Sequence, residues 1–159
     1  MNLKVILYSF VILFMAFTLE QLPLPVVIDW FQPVWPMLAV MALVFFSPVV
    51  FGFWLAVPVG ILMDIETGSL LGLHVLMVGV EILLVQLLYR RLYMYNVLQQ
   101  AAVIFLLVAV TQLCNYWSSN LIRDDVRQVS IWLPALMSAL MWPWIYVVGY
   151  RMLLKFQRT

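Results

Sequence analysis

The sequence predicts an all-α, polytopic membrane protein: a compact bundle of six transmembrane helices forming one domain over residues 1–159. Three observations predict it. Apolar residues make up 67% of the chain, and Asp, Glu, Lys and Arg only 9%. The charged residues fall almost wholly between long apolar runs, as they must if a charge at the bilayer centre costs about 3 kcal/mol or more. The runs are also continuous, without alternating polarity. That pattern indicates helices over a barrel, the other fold whose backbone is satisfied in lipid.

The first run, residues 3–19, begins with Lys4 and is followed by Thr18-Leu19-Glu20-Gln21-Leu22-Pro23, which offers no small-residue cleavage site. It is therefore expected to remain as an uncleaved signal anchor. The second and third runs, residues 35–47 and 49–63, fall short of the roughly 20 residues a span needs. One tilted helix over both would meet Ser47-Pro48, and the residue before a proline is biased away from helix. A tight helical hairpin is the expectation. Residues 70–89, 97–116 and 131–150 complete the six.

Charge bias supports the even number. With both termini cytoplasmic, Lys4, Arg90, Arg91, Arg151, Lys155 and Arg158 lie inside; only Arg123 and Arg127 lie outside, beside Asp124 and Asp125. A five-helix plan strands either Arg90 and Arg91 or the basic tail on the wrong side. The outer loop, residues 118–130, reads as a short surface helix with Leu121, Ile122, Val126 and Val129 toward the membrane. Trp30, Trp35, Trp117 and Trp132 then form an aromatic belt at the outer interface.

Several function classes are disfavoured. The gaps between spans leave no room for a soluble domain. Cys114 is a single cysteine, so no disulfide, zinc site or redox pair is expected. The net charge of +1, without a basic patch interleaved with aromatics, gives no reason to expect nucleic acid. A Walker-type glycine loop, a His-Glu-x-x-His pair and a second histidine to join His74 are all missing, which argues against an ATPase or a metalloprotease. No cofactor is expected.

Three features rise above plain hydrophobicity. Gly52, Ala56, Gly60 and Asp64 recur every four residues in the third span, and small residues at that spacing let a second helix approach closely. The seam serves either packing within the bundle or another subunit, and Pro58, one turn before the end of that span, is expected to bend it. The following turn, with Gly68, Gly72 and His74, carries most of the polarity of the outer half; Asp64 is placed to cap the next helix, and a ligand or partner contact stays open there. Glu81 is the one charge deep in a span, seven residues after His74 and on the same face. It is expected to be a buried, hydrogen-bonded carboxyl, with Thr111, Gln112, Asn115 and Ser138 as candidate neutral partners and a partner contact or proton path as alternatives.

Four stretches resemble the MreD family of rod shape-determining proteins: Pro33-Val34-Trp35-Pro36, Gly52 with Gly60 and Asp64, Gly68-Ser69-Leu70-Leu71-Gly72-Leu73-His74, and Leu140-Met141-Trp142-Pro143-Trp144. The resemblance implies a non-enzymatic scaffold of the cell-elongation, peptidoglycan-synthesising machinery (the elongasome) in the bacterial inner membrane. Its partners would be MreC directly, and MreB, RodA and the elongation-specific penicillin-binding protein in a larger complex, besides membrane lipid. The family also looks distantly like the S components of energy-coupling-factor transporters, so the rival expectation is a substrate-binding module of a transporter, in which Glu81 or His74 would touch the ligand.

Overall fold

The computed structural model describes residues 3–23, 25, 31–48, 50–122 and 132–157. Trp30, Val49, Arg158 and residues 123–131, with Arg123, Asp124, Asp125, Val126, Arg127 and Val129, lie outside them. Among the described residues all regular secondary structure is helical. The α-helices are α1 (Leu3–Glu20), α2 (Trp35–Phe46), α3 (Ala56–Thr67), α4 (Leu73–Met94), α5 (Val97–Ile122) and α6 (Trp132–Gln157), with a 3-10 turn at Phe53–Leu55 leading into α3. Three stretches of the described residues are long and apolar enough to cross a membrane: Leu73–Met94, Val97–Trp117 and Trp132–Arg151.

Helix α2 is the hub. Met37, Leu38, Val40, Met41 and Val44 are almost fully buried because α1, α4 and α6 pack around it. Its start is fixed from two sides: the Trp35 amide donates to Glu20 Oε2 at 3.0 Å, and the Val34 amide to Ser138 Oγ at 3.1 Å. Proline in the first turn suits a helix start, where an amide has no intrahelical partner. At the other end Phe45 gathers Tyr89, Trp142 and Tyr146, with ring centroids 6.0, 5.9 and 5.9 Å away. The α4–α5 link is only Tyr95 and Asn96. Asn96 and Gln99 close it reciprocally: the Gln99 amide donates to the Asn96 carbonyl at 2.8 Å, and the Asn96 amide to Gln99 Oε1 at 3.1 Å.

The structure corrects the expected plan in four places. The expected hairpin of residues 35–47 and 49–63 is two helices of 12 residues each, and they dock on α4 instead of on each other. The third helix starts later and ends later than the 49–63 span, because the chain after Pro48 makes a turn in which the Phe51 amide donates to the Ser47 carbonyl at 2.9 Å. Gly52 is therefore extended and outside the helix (φ −126°, ψ −160°), which leaves Ala56, Gly60 and Asp64 as the stripe. Pro58 falls in the first turn of α3, where its missing amide is tolerated, and not one turn before the end of the helix. Residues 118–122, expected in a surface helix, are the end of α5.

Candidate functional site

The seam between α3 and α4 shows what the small-residue stripe does. A Cβ on Gly60 would lie 2.3 Å from Val75 Cα and 2.4 Å from Val75 N, both backbone atoms that cannot give way. One turn along, Gly79 of α4 faces the Phe53 ring and Ala56, and Ala56 is fully buried. The stripe is thus spent on packing within the chain. Gly52 plays a different part: a Cβ there would come 3.5 Å from Gln86 Nε2. That amide donates to the Phe51 and Pro48 carbonyls at 3.3 and 3.4 Å, meeting the bonding need of the non-helical link.

At the end of the seam lies a buried polar knot. Asp64 is 1% exposed and His74 2%. Helix α3 ends on Gly68 in the left-handed conformation (φ 62°, ψ 30°), with its amide and that of Ser69 both donating to the Asp64 carbonyl. Gly72 is also left-handed (φ 100°) and turns the chain into α4. The Asp64 carboxylate then collects four donors. Oδ2 accepts the Gly72 amide at 2.6 Å, while Oδ1 accepts Ser69 Oγ–H at 2.8 Å, the His74 amide at 2.9 Å and His74 Nδ1 at 2.9 Å. With Nδ1 as donor, Nε2 accepts, and Asn115 Nδ2 on α5 donates to it at 3.2 Å. The four bonds to Asp64 meet the carboxylate's need for donors where water is excluded.

The knot cannot run a nucleophilic relay. Ser69 Oγ lies 3.2 Å from the same ring nitrogen that serves Asp64, whereas a base needs its orienting carboxylate on the nitrogen away from the nucleophile. It can hold a helix junction rigid: a carboxylate at the α4 N-terminus meets free amides and the positive end of the helix dipole.

Glu81 is 2% exposed, and neither of its carboxyl oxygens has a hydrogen-bond partner among the described residues. This corrects the expected hydrogen-bonded carboxyl. Three of the candidate partners have bonds elsewhere: Thr111 Oγ1 donates to the Leu107 carbonyl at 3.0 Å, Ser138 Oγ accepts the Val34 amide, and Asn115 serves His74. Sequence reasoning missed Gln86 and Gln100. Gln100 Nε2 donates to the Leu92 carbonyl at 2.9 Å, and its Oε1 accepts Trp142 Nε1 at 3.0 Å. The available signal was a glutamine inside an apolar helix, a type that needs a partner once buried.

Two apolar grooves flank α1. One, of about 560 Å³, lies between α1 and α3. Ile6, Phe10, Phe14 and Phe17 form its α1 wall at helical spacing, and Trp54, Pro58 and Leu62 face them at intervals of four. Its one acidic lining residue among the described residues is Glu66, at the Gln21 end, and Gln21 hydrogen-bonds it. The other, of about 530 Å³, lies among α1, α2 and α6 and is lined by residues such as Ile12, Ala42, Leu43, Trp144 and Val148, with no charged side chain among the described residues. Neither groove was legible in the sequence.

The family model of the rod shape-determining protein MreD matches residues 2–152. No solved structure matches the chain.

Proposed function

The chain belongs to the MreD family, which gives it a role in rod shape determination, and from that premise we propose that it is a non-enzymatic membrane scaffold. It crosses the inner membrane six times with both termini in the cytoplasm, and it binds MreC, through which it is linked to MreB, RodA and the elongation-specific penicillin-binding protein of the peptidoglycan-synthesising machinery. Leu73–Met94, Val97–Trp117 and Trp132–Arg151 are the long apolar anchors of that plan, and α1, α2 and α3 complete it.

The observation that carries this reading is the groove between α1 and α3. Two walls of large apolar side chains at intervals of three and four residues are what a helix with ridges of the same spacing packs into. From Ile6 to Gln21 the groove follows 15 residues of α1, about 22 Å at 1.5 Å per residue and so most of a bilayer's apolar depth. The MreC helix lies there, and Gly60 stays in the intramolecular seam. A substrate-binding module would instead need convergent polar groups in its cavity, and both large grooves are lined almost wholly by apolar side chains.

Cysteine cross-linking tests the assignment. In a Cys114→Ser background, Leu62→Cys co-expressed with full-length MreC carrying cysteines along its membrane helix should give a cross-link repeating every three to four MreC positions. No cross-link at Leu62, with a strong one from the α2–α6 groove through Ala42→Cys, would move MreC to the other side of α1.

A further inference from the structure

We propose that the helix occupying the α1–α3 groove brings a lysine or arginine to the Gln21 end, where it pairs with the Glu66 carboxylate. The inference rests on the reading of this groove as a helix-binding site and specifies the chemistry of what binds.

An occupant of the groove changes the surroundings of Glu66. The residue is already half-buried at the rim, and the partner it has among the described residues is the neutral amide of Gln21. Nearby Ile65 and Leu62 are exposed and apolar. A helix filling the groove covers all three together and withdraws the carboxylate from water and headgroups. Burying a carboxylate against apolar atoms is strongly unfavourable unless a cation or several donors meet it. Asp64, two residues earlier, has its donors within the chain. For Glu66 the donor shown among the described residues is the Gln21 amide, on the α1 side. A guanidinium or ammonium that snorkels along the groove from a neighbouring helix supplies what is missing.

The same logic gives selectivity between the two sides of α1. The α2–α6 groove has similar volume and, among the described residues, no charged lining residue, so a helix with a basic residue near its outer end finds no carboxylate there. An apolar helix loses by choosing the Glu66 side. The charge therefore decides which groove a helix enters and which way up it lies, more than how tightly it packs.

The test is a charge swap in the full-length complex, using MreC as the probe. Glu66→Lys should lower recovered complex about tenfold, the lower end of what close charge pairs contribute. Glu66→Gln, which keeps the size and the bond to Gln21, should lower it less. One basic residue of MreC changed to Glu should restore the Glu66→Lys complex and weaken the wild-type one. Unaltered recovery with Glu66→Lys, or failure of every basic-to-acidic MreC change to restore it, overturns the inference. The Leu62→Cys cross-link is read in the same membranes. If it persists while the swap fails, the groove assignment stands without the ion pair; if it is absent, both fall. A cross-link between two copies of this chain through Leu62→Cys would assign the groove to self-association and likewise overturn the proposal.

Discussion

Along α3, one face is closed against α4 while the opposite face stands open beside α1. The closed face carries Ala56, Gly60 and Asp64, backbone against backbone, and ends in a carboxylate with four donors. The open face carries Pro58, Leu62, Ile65 and Glu66, all reached from outside. The physics differs accordingly. Where lipid surrounds the helices, apolar burial gives little drive, and close packing with saturated hydrogen bonds holds elements together. The closed face has both. The open face offers shape and one charge, which suit a partner that comes from elsewhere.

That contrast breaks most visibly at Gly60. Gly60→Leu should destabilise the detergent-solubilised protein by about 3 kcal/mol or more, at or above the upper end of what overpacking usually costs, because the atoms it meets are backbone. Even Gly60→Ala should be damaging, since its first atom meets Val75. Thermal unfolding by intrinsic fluorescence reads both, and an unchanged melting point with Gly60→Leu would reopen the seam as a partner surface.

Next in size is Asp64→Ala, which leaves the Gly72 and His74 amides without an acceptor inside the bundle and should cost about 2–4 kcal/mol. Thermal unfolding in detergent reads the loss, and Asp64→Asn, which keeps an acceptor for the two amides, should lose less; an unchanged melting point with Asp64→Ala would mean that the knot does not hold the junction.

Glu81 runs the other way. Replacing a buried carboxyl with no partner among the described residues by leucine should raise stability by about 1–3 kcal/mol. If Glu81→Leu is stabilising and yet abolishes rod shape in cells depleted of the wild-type protein, the residue is retained for function. A destabilising effect would mean that it is satisfied after all. The smallest effect on folding is expected on the open face: Leu62→Trp should alter stability by no more than about 0.5 kcal/mol while reducing recovered MreC complex. Equal losses in stability and binding would erase the distinction between the two faces.

Much of the fold was legible without coordinates because apolar length and charge placement are properties of the chain itself. The last three helices, the Ser47-Pro48 break and the polar turn from Asp64 to His74 were read from residue order. Gly60 and Asp64 were singled out for their spacing. What failed had a common cause. Gly52 kept the four-residue interval but not the helix, since an interval says nothing about where the helix begins. Glu81 was given partners because a carboxyl in a span ordinarily needs them, yet Thr111, Ser138 and Asn115 were committed to atoms far off in sequence.

By itself, then, the amino-acid order determined a helical bundle whose spanning segments are too apolar for water, and it marked the turn where polar groups collect. Only the tertiary structure decided that the glycine seam faces inward, that Ser69 and Asn115 complete the Asp64–His74 knot, and that α1 leaves a groove on either side. The reason is geometric. Solvation acts on each residue wherever it sits, whereas a groove or a hydrogen-bond knot exists only once separate helices hold fixed positions relative to one another.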